Sequence, residues 1–406
     1  MFVPPQPTTT PRMSDSAEVE LSRPRPSTPR KLSRGKELFF IFVALAFSLL
    51  VTLVLGELLV RIAAPQDLSG TWLENAPRGY LRNKSGGTAR HQFGQRVVYY
   101  RFNDHHMRGR PIGAGKVRVL ALGESFTFGW LLEEQDTYLA RLQQHADSAF
   151  GIEQFEILNG AAGGWGTEDY VLFLEDEGDS IKPDVVLVFL GIDDTQRAMN
   201  ATFYRLADTQ ALTLEPTGLK MHESRLKQIA NSVPGYELLL EHSHLIQLIR
   251  NASVHGRSGV FAAQQTDSSP APATSLPVIK PDDTGILKEK ALFLRIADWC
   301  KQHHALMLVV TNWPADQRFT LIAAEMNQRN ITFRAQADQF FRENGIDFFD
   351  PGPELAVAIG GGLDQYRIHD DGHPTEAGAA LIADMIWPWL EPKLRHLRFP
   401  ANSQAR

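Results

Sequence analysis

The chain has 406 residues, 43 % of them hydrophobic, and a net charge of −6. That suffices for one large domain or two small ones with ample core, and the mildly acidic balance gives no reason to expect a nucleic-acid partner. The single cysteine, Cys300, excludes an intramolecular disulfide. Lying near Ile296 and Trp299, it reads as a buried structural thiol.

Residues 1–36 are polar and proline-rich and carry Arg23, Arg25, Arg30, Lys31, Arg34 and Lys36. This composition predicts a disordered tail. Leu38 to Gly56 then carries no charge. At a rise of about 1.5 Å per residue this run spans roughly 28 Å, close to the hydrocarbon thickness of a bilayer. We read residues 37–63 as a transmembrane anchor. The basic cluster before it places the tail in the cytoplasm and everything after about residue 64 on the far side. The alternative is a cleaved signal peptide, which ordinarily has a shorter apolar core and a shorter basic leader.

Residues 64–115, rich in Gly, Arg and Asn, read as a membrane-proximal lead-in. From 116 to 394 short apolar runs alternate with helical periods. Strands are predicted at 117–122, 155–158, 184–190, 306–311 and 346–349, and helices at 136–149, 167–177, 287–303, 320–344 and 375–390. Strands this short and this apolar are covered on both faces, and the alternation predicts an α/β fold with a parallel five-stranded sheet between helical layers. Residues 195–283 break the rhythm and read as an insertion leaning over the active-site edge. They have helical character at 236–249 and an Ala-, Ser-, Pro- and Thr-rich, disordered stretch at 256–283.

Three strand ends and one late loop carry the chemistry. The first strand runs into Gly123-Glu124-Ser125, a turn that can expose a serine hydroxyl at the carboxyl edge of the sheet. Asp370-Asp371-Gly372-His373 supplies a base with two candidate acids just before a helix, completing the groups needed for acyl transfer through a covalent intermediate. Both acids stay open. Asn159 to Thr167 contains Gly160, Gly163, Gly164 and Gly166, where a backbone N–H can approach a substrate oxygen. Gly191-Ile192-Asp193-Asp194 ends the third strand at the same edge. Taken singly each piece has a bland alternative, a turn or a helix cap; their convergence carries the reading. His105-His106, His242-x-His244 and His303-His304 read as solvated or incidental. No metal and no cofactor is expected, because no further acid or histidine stands at ligand spacing near the Asp-His loop.

With these blocks in order, the chain resembles the SGNH (GDSL-type) hydrolase superfamily, in particular bacterial members anchored by one amino-terminal helix. Gly123-Glu124-Ser125 matches the family's Gly-Asp-Ser with Glu for Asp. Asn159 to Gly164 matches its Asn-x-x-x-x-Gly, and 370–373 its closing Asp-His block. Phe102-Asn103 to Arg108-Gly109 is similar to the lead-in of the anchored members. The resemblance implies a flavodoxin-like three-layer sandwich, Ser125 as nucleophile, His373 as base, Asp371 or Asp370 as its acid, and Gly164 as an oxyanion donor. It implies a serine esterase or acyltransferase outside the cytoplasm, held in the inner membrane, with a small-molecule or glycan ester as substrate. One departure stands out. The family's third block is Gly-x-Asn-Asp, and Asp193 occupies the oxyanion-binding Asn position. An ionised carboxylate cannot donate there, and losing one such donor costs on the order of 100- to 1000-fold in turnover. A non-catalytic glycan- or partner-binding protein on the same fold is therefore the alternative.

Overall fold

The computed structural model describes residues 33–114, 116–152, 154–218, 233–255, 278–322 and 324–398. The tail at 1–32 and most of the stretch read as a disordered loop, 256–277, lie outside these. The chain divides into two units, residues 1–56 and 57–406.

In the first unit a helix starts at Arg34 and continues into the second as far as Ala63. Leu38, Phe42, Leu45, Phe47 and Leu55 are all exposed. The helix is long and apolar enough to cross a membrane, a property shared with signal sequences.

In the second unit the lead-in comes ahead of the sheet. It forms two antiparallel pairs, β1 (Leu73–Asn75) with β2 (Leu81–Asn83) and β3 (Thr88–Phe93) with β4 (Arg96–Arg101). The sheet proper follows, with β5 (Val117–Leu122), β6 (Phe155–Asn159) and β7 (Val185–Leu190). Within the insertion lies a small hairpin of β8 (Tyr204–Asp208) and β9 (Thr213–Pro216). The sheet then takes up β10 (Leu306–Thr311) and β11 (Asp347–Phe349). The strand order is β6-β5-β7-β10-β11 and every pairing is parallel. This is the flavodoxin-like order, which reverses between β5 and β7 and opens its ligand crevice there.

The alternation of side chains across each strand builds two cores. Leu120, Leu122, Val186, Val188 and Val309 face the helices Thr167–Ile181, Thr284–Gln302 and Ala324–Glu343. Val119, Ala121, Leu187, Phe189 and Val310 face Tyr138–Phe150 and Glu376–Arg398. Cys300 is buried in the first core, and burial pushes its thiol up to about 12. A third, smaller core joins the lead-in to the turn after β5: Val98, Tyr100 and Phe102 pack with Phe128, Leu131 and Ala161.

The insertion contributes the helices Tyr236–His242 and His244–His255. Their contacts run to the lead-in side. Glu241 accepts the Arg90 N–H at 3.0 Å, and the Gln247 amide donates to the carbonyls of Ser69 and Leu240.

Candidate active site

The turn after β5 is forced by close packing. A Cβ on Gly123 would come within 2.0 Å of Thr127 Oγ1, so only glycine lets the strand fold back at once into the short helix Ser125–Phe128. The Glu124 carboxylate caps that helix, taking the Phe126 N–H at 3.0 Å. Asn159, at the end of β6, fixes the far side of the turn by donating to the carbonyls of Thr127 and Phe128. Ser125 is thereby held half-buried at the mouth of the β5/β7 crevice.

His373 arrives from a loop closed on itself. The Ile368 N–H donates to the His373 carbonyl at 2.8 Å and the Gly372 N–H to the Ile368 carbonyl at 2.9 Å. His373 Nε2 lies 2.7 Å from Ser125 Oγ, and its Nδ1 lies 2.6 Å from Asp371 Oδ1. Asp371 Oδ1 also takes the His373 N–H at 3.2 Å. Burial would raise the Asp371 carboxyl, but the hydrogen bond and charge of His373 outweigh it and hold the group below its ordinary value. Of the two acids left open by the spacing, Asp370 does not reach the base. It sits at a left-handed φ of 60° and pairs with His369 at 2.9 Å, with 78 % of its side chain exposed.

The expected oxyanion residues are brought to this edge, with a correction. Gly164 has φ +84°, a conformation glycine adopts freely. Neither its N–H nor that of Ser125 has a protein acceptor among the described residues. Asp193, by contrast, is an acceptor: its Oδ2 receives Arg197 Nε at 2.8 Å and Arg197 Nη2 at 2.7 Å. A carboxylate bound in this way offers no proton to an oxyanion.

Four neighbours of the site are given no role by the sequence, Glu124 inside a motif and Trp130, His91 and Arg197 outside them. Glu124 Oε2 is 2.6 Å from Ser125 Oγ, and its Oε1 accepts from Asn312 at the end of β10. Burial first, with the charge of Asp193 added, raises the Glu124 carboxyl above its ordinary value. Trp130 stacks on His373 with ring centroids 5.5 Å apart and 27° between planes. His91, from β3, meets Trp130 edge-on at 4.5 Å and shares a 2.7 Å hydrogen bond with Tyr100 Oη. Burial pushes His91 down to about 4 against the pull of Asp371. Arg197 bonds the Gly164 carbonyl at 2.6 Å as well as Asp193. The Glu-for-Asp exchange and the four-residue spacing of Asp193 and Arg197 were readable signals; nothing local marks His91 or Trp130. His106, read as solvated or incidental, is buried with Nδ1 3.0 Å from the Asn83 carbonyl. A cavity of about 520 Å³ on the flank of β6, lined by Arg101, Arg110 and Glu156, includes none of Ser125, His373 and Asp371.

Residues 121–381 match the GDSL-like lipase/acylhydrolase family. No curated protein sequence matches the chain. Among solved structures it is similar to TesA, at 12 % identity over 68 % of this chain and 98 % of that one, with a TM-score of 0.38. The acetyl xylan esterase AlAXEase gives 14 % identity over 68 % and 100 % of the two chains and a TM-score of 0.38. A catalytic mutant of Axe2, an acetylxylan esterase from Geobacillus stearothermophilus, gives 14 % identity over 69 % and 95 % and a TM-score of 0.39. The family match spans well over half of the sequence and takes in the end of β5 with the Gly-Glu-Ser turn, the glycine loop and the Asp-His loop, and on that ground the chain belongs to the GDSL-like lipase/acylhydrolase family of ester hydrolases.

Proposed function

We propose that the chain is a serine esterase or acyltransferase working through Ser125, His373 and Asp371 on an ester outside the cytoplasm. The observation that carries this is the continuous relay from Ser125 Oγ through His373 to Asp371, at 2.7 and 2.6 Å. Ser125 Oγ attacks the ester carbonyl while His373 Nε2 takes its proton. Asp371 keeps the other ring proton on Nδ1 and steadies the imidazolium. The N–H groups of Ser125 and Gly164, free of protein acceptors, receive the oxyanion. Collapse expels the alcohol, which takes the proton back from His373. Water or an acceptor hydroxyl then releases the acyl group by the reverse steps.

Glu124 bears on the first of these steps. Its carboxyl and His373 both lie within hydrogen-bond reach of one hydroxyl. As it stands the Ser125 hydroxyl donates to Glu124 Oε2; burial raises that carboxyl, and a protonated Glu124 would turn the contact round and leave the serine proton for His373.

We assign the helix Arg34–Ala63 as an inner-membrane anchor with the tail before it in the cytoplasm and the chain after it in the periplasm, on its apolar length and the basic residues before it. As substrate we propose an acylated carbohydrate. Trp130, half-buried beside His373 and against Gly163, supports this by placing an indole at the mouth of the site. A glycan-binding role without turnover is the second reading, favoured by the carboxylate at Asp193.

Treating the full-length protein with a fluorophosphonate probe and mapping the modified peptide decides between them. Modification at Ser125 is expected; an unmodified, folded protein leaves the binding role. A reporter fused after residue 406 tests the topology, and activity only in the cytoplasm would reverse it.

A further inference from the structure

The crevice edge is crowded with acid. Gly191 lies against Glu124, where a Cβ would come within 2.6 Å of the Glu124 Cγ. Asp194 is fully buried behind it, accepting the Gly191 N–H at 2.7 Å and facing Tyr170 Oη at 3.1 Å. Glu289 is a second buried acid nearby, and burial first, then Glu289, raises the Asp194 carboxyl. Into this group the Gly-Ile-Asp-Asp loop places one more carboxylate, Asp193.

A single cation enters from the helix Asp194–Asn200. Arg197 puts Nε and Nη2 on Asp193 Oδ2 and Nη1 on the Gly164 carbonyl. Its stem runs over Gly166, where a Cβ would approach the Arg197 Cβ to 2.6 Å. No other lysine or arginine pairs with Asp193, Asp194 or Glu124 among the described residues. One side chain thus ties the loop after β6 to the loop after β7, and sets a positive charge where both pass the nucleophile turn.

We propose that Arg197 is a positioning residue that makes Asp193 tolerable in this site, cancelling the charge that would otherwise repel the oxyanion formed at Ser125. The inference rests on Ser125 being the nucleophile. Repulsion from an unpaired carboxylate acts on the transition state, where the oxygen turns negative, and hardly on the neutral ester. The cost of losing Arg197 therefore falls on kcat rather than KM, and exists only while residue 193 is charged.

The test is a double-mutant cycle on the full chain, reading the rate of Ser125 phosphonylation by a fluorophosphonate probe and kcat and KM for p-nitrophenyl acetate. Arg197→Gln is expected to slow both rates by roughly 10- to 100-fold with KM little changed. In the Asp193→Asn background the same change should cost no more than about threefold, which is the signature of coupling through charge. Arg197→Lys keeps the charge and should stay within about fivefold of the parent, so it decides the matter if Arg197→Gln does not fold. Equal losses in both backgrounds would make Arg197 a strut for the Gly164 loop and overturn the proposal, as would a harmless Arg197→Gln or an Arg197→Lys as slow as the glutamine variant. If the parent is not phosphonylated at Ser125, the esterase reading itself fails and this inference falls with it.

Discussion

Glu124 Oε2 and Ser125 Oγ, on adjacent residues, lie 2.6 Å apart, so the hydroxyl is held by its own neighbour as well as by His373. The carboxyl that does this is buried and raised above its ordinary value, first by burial and then by Asp193.

Glu124→Gln tests which form is at work. The glutamine amide oxygen can keep the Phe126 N–H, and neither amide atom can take up the serine proton as a base. Turnover of p-nitrophenyl acetate within about threefold of the parent is expected, against a loss of roughly 100-fold if an ionised Glu124 is required as a base.

The relay makes unequal demands on its two aspartates. Ser125→Ala and His373→Ala should each abolish phosphonylation by a fluorophosphonate probe, with the melting temperature retained. Asp371→Asn should lower kcat by about 10⁴-fold, because the histidine is left in the wrong tautomer. Asp370→Asn, altering an exposed carboxylate paired only with His369, should leave kcat unchanged. A large loss at residue 370 would redraw the relay.

His91 confers acid sensitivity. Its value in the fold is about 4 against 6.5 for a free histidine, so the unfolded chain binds the extra proton between those limits. Stability is therefore full above pH 6.5 and falls as the pH drops toward 4, by roughly 3 kcal/mol at most. Melting curves from pH 7 to 4 should show His91→Phe losing less on acidification than the parent. Parallel curves would mean that His91 takes up its proton without penalty.

Arg108 is a buried cation with no carboxylate partner among the described residues. It donates instead to the carbonyls of Phe128, Gly129 and Leu132 at 2.7, 2.6 and 2.5 Å, beneath the rings of Tyr100 and Phe128, and burial lowers it to about 10. Arg108→Met strands the buried Leu132 carbonyl and leaves those of Phe128 and Gly129 with one donor each, from Asn159 and the Leu132 N–H, next to the nucleophile turn. A loss of about 3 kcal/mol in denaturant unfolding is expected, together with slower phosphonylation of Ser125.

The five sheet strands were legible because both faces are covered. Val185 to Leu190 is buried at every position and reads as an unbroken apolar run. The lead-in was not legible, although β4 alternates cleanly in the structure. Its outward positions hold Val97 and Tyr99, 37 % and 55 % exposed, so the sequence pattern loses its period. The two-residue turn Gly94-Gln95 between β3 and β4, with Gly94 at φ +56°, was the signal available. At the site, Ser125, His373 and the Asp pair stood out because their motifs are local. The contacts of Glu124 with Asn312 and of Arg197 with Gly164 are supplied only by the fold, and His91 reaches Trp130 from a different segment altogether.

The third core has a practical side. Val98, Tyr100 and Phe102 cover Phe128 and Leu131, and Trp72 and His91 cover Trp130. A shortened chain begun at Val117, where the sheet starts, would turn these aromatic and aliphatic groups out to water as one sticky patch directly beside Ser125, inviting self-association. One begun near residue 64 keeps them covered, so the smallest soluble piece worth making is set by the lead-in hairpin and not by the first strand of the sheet.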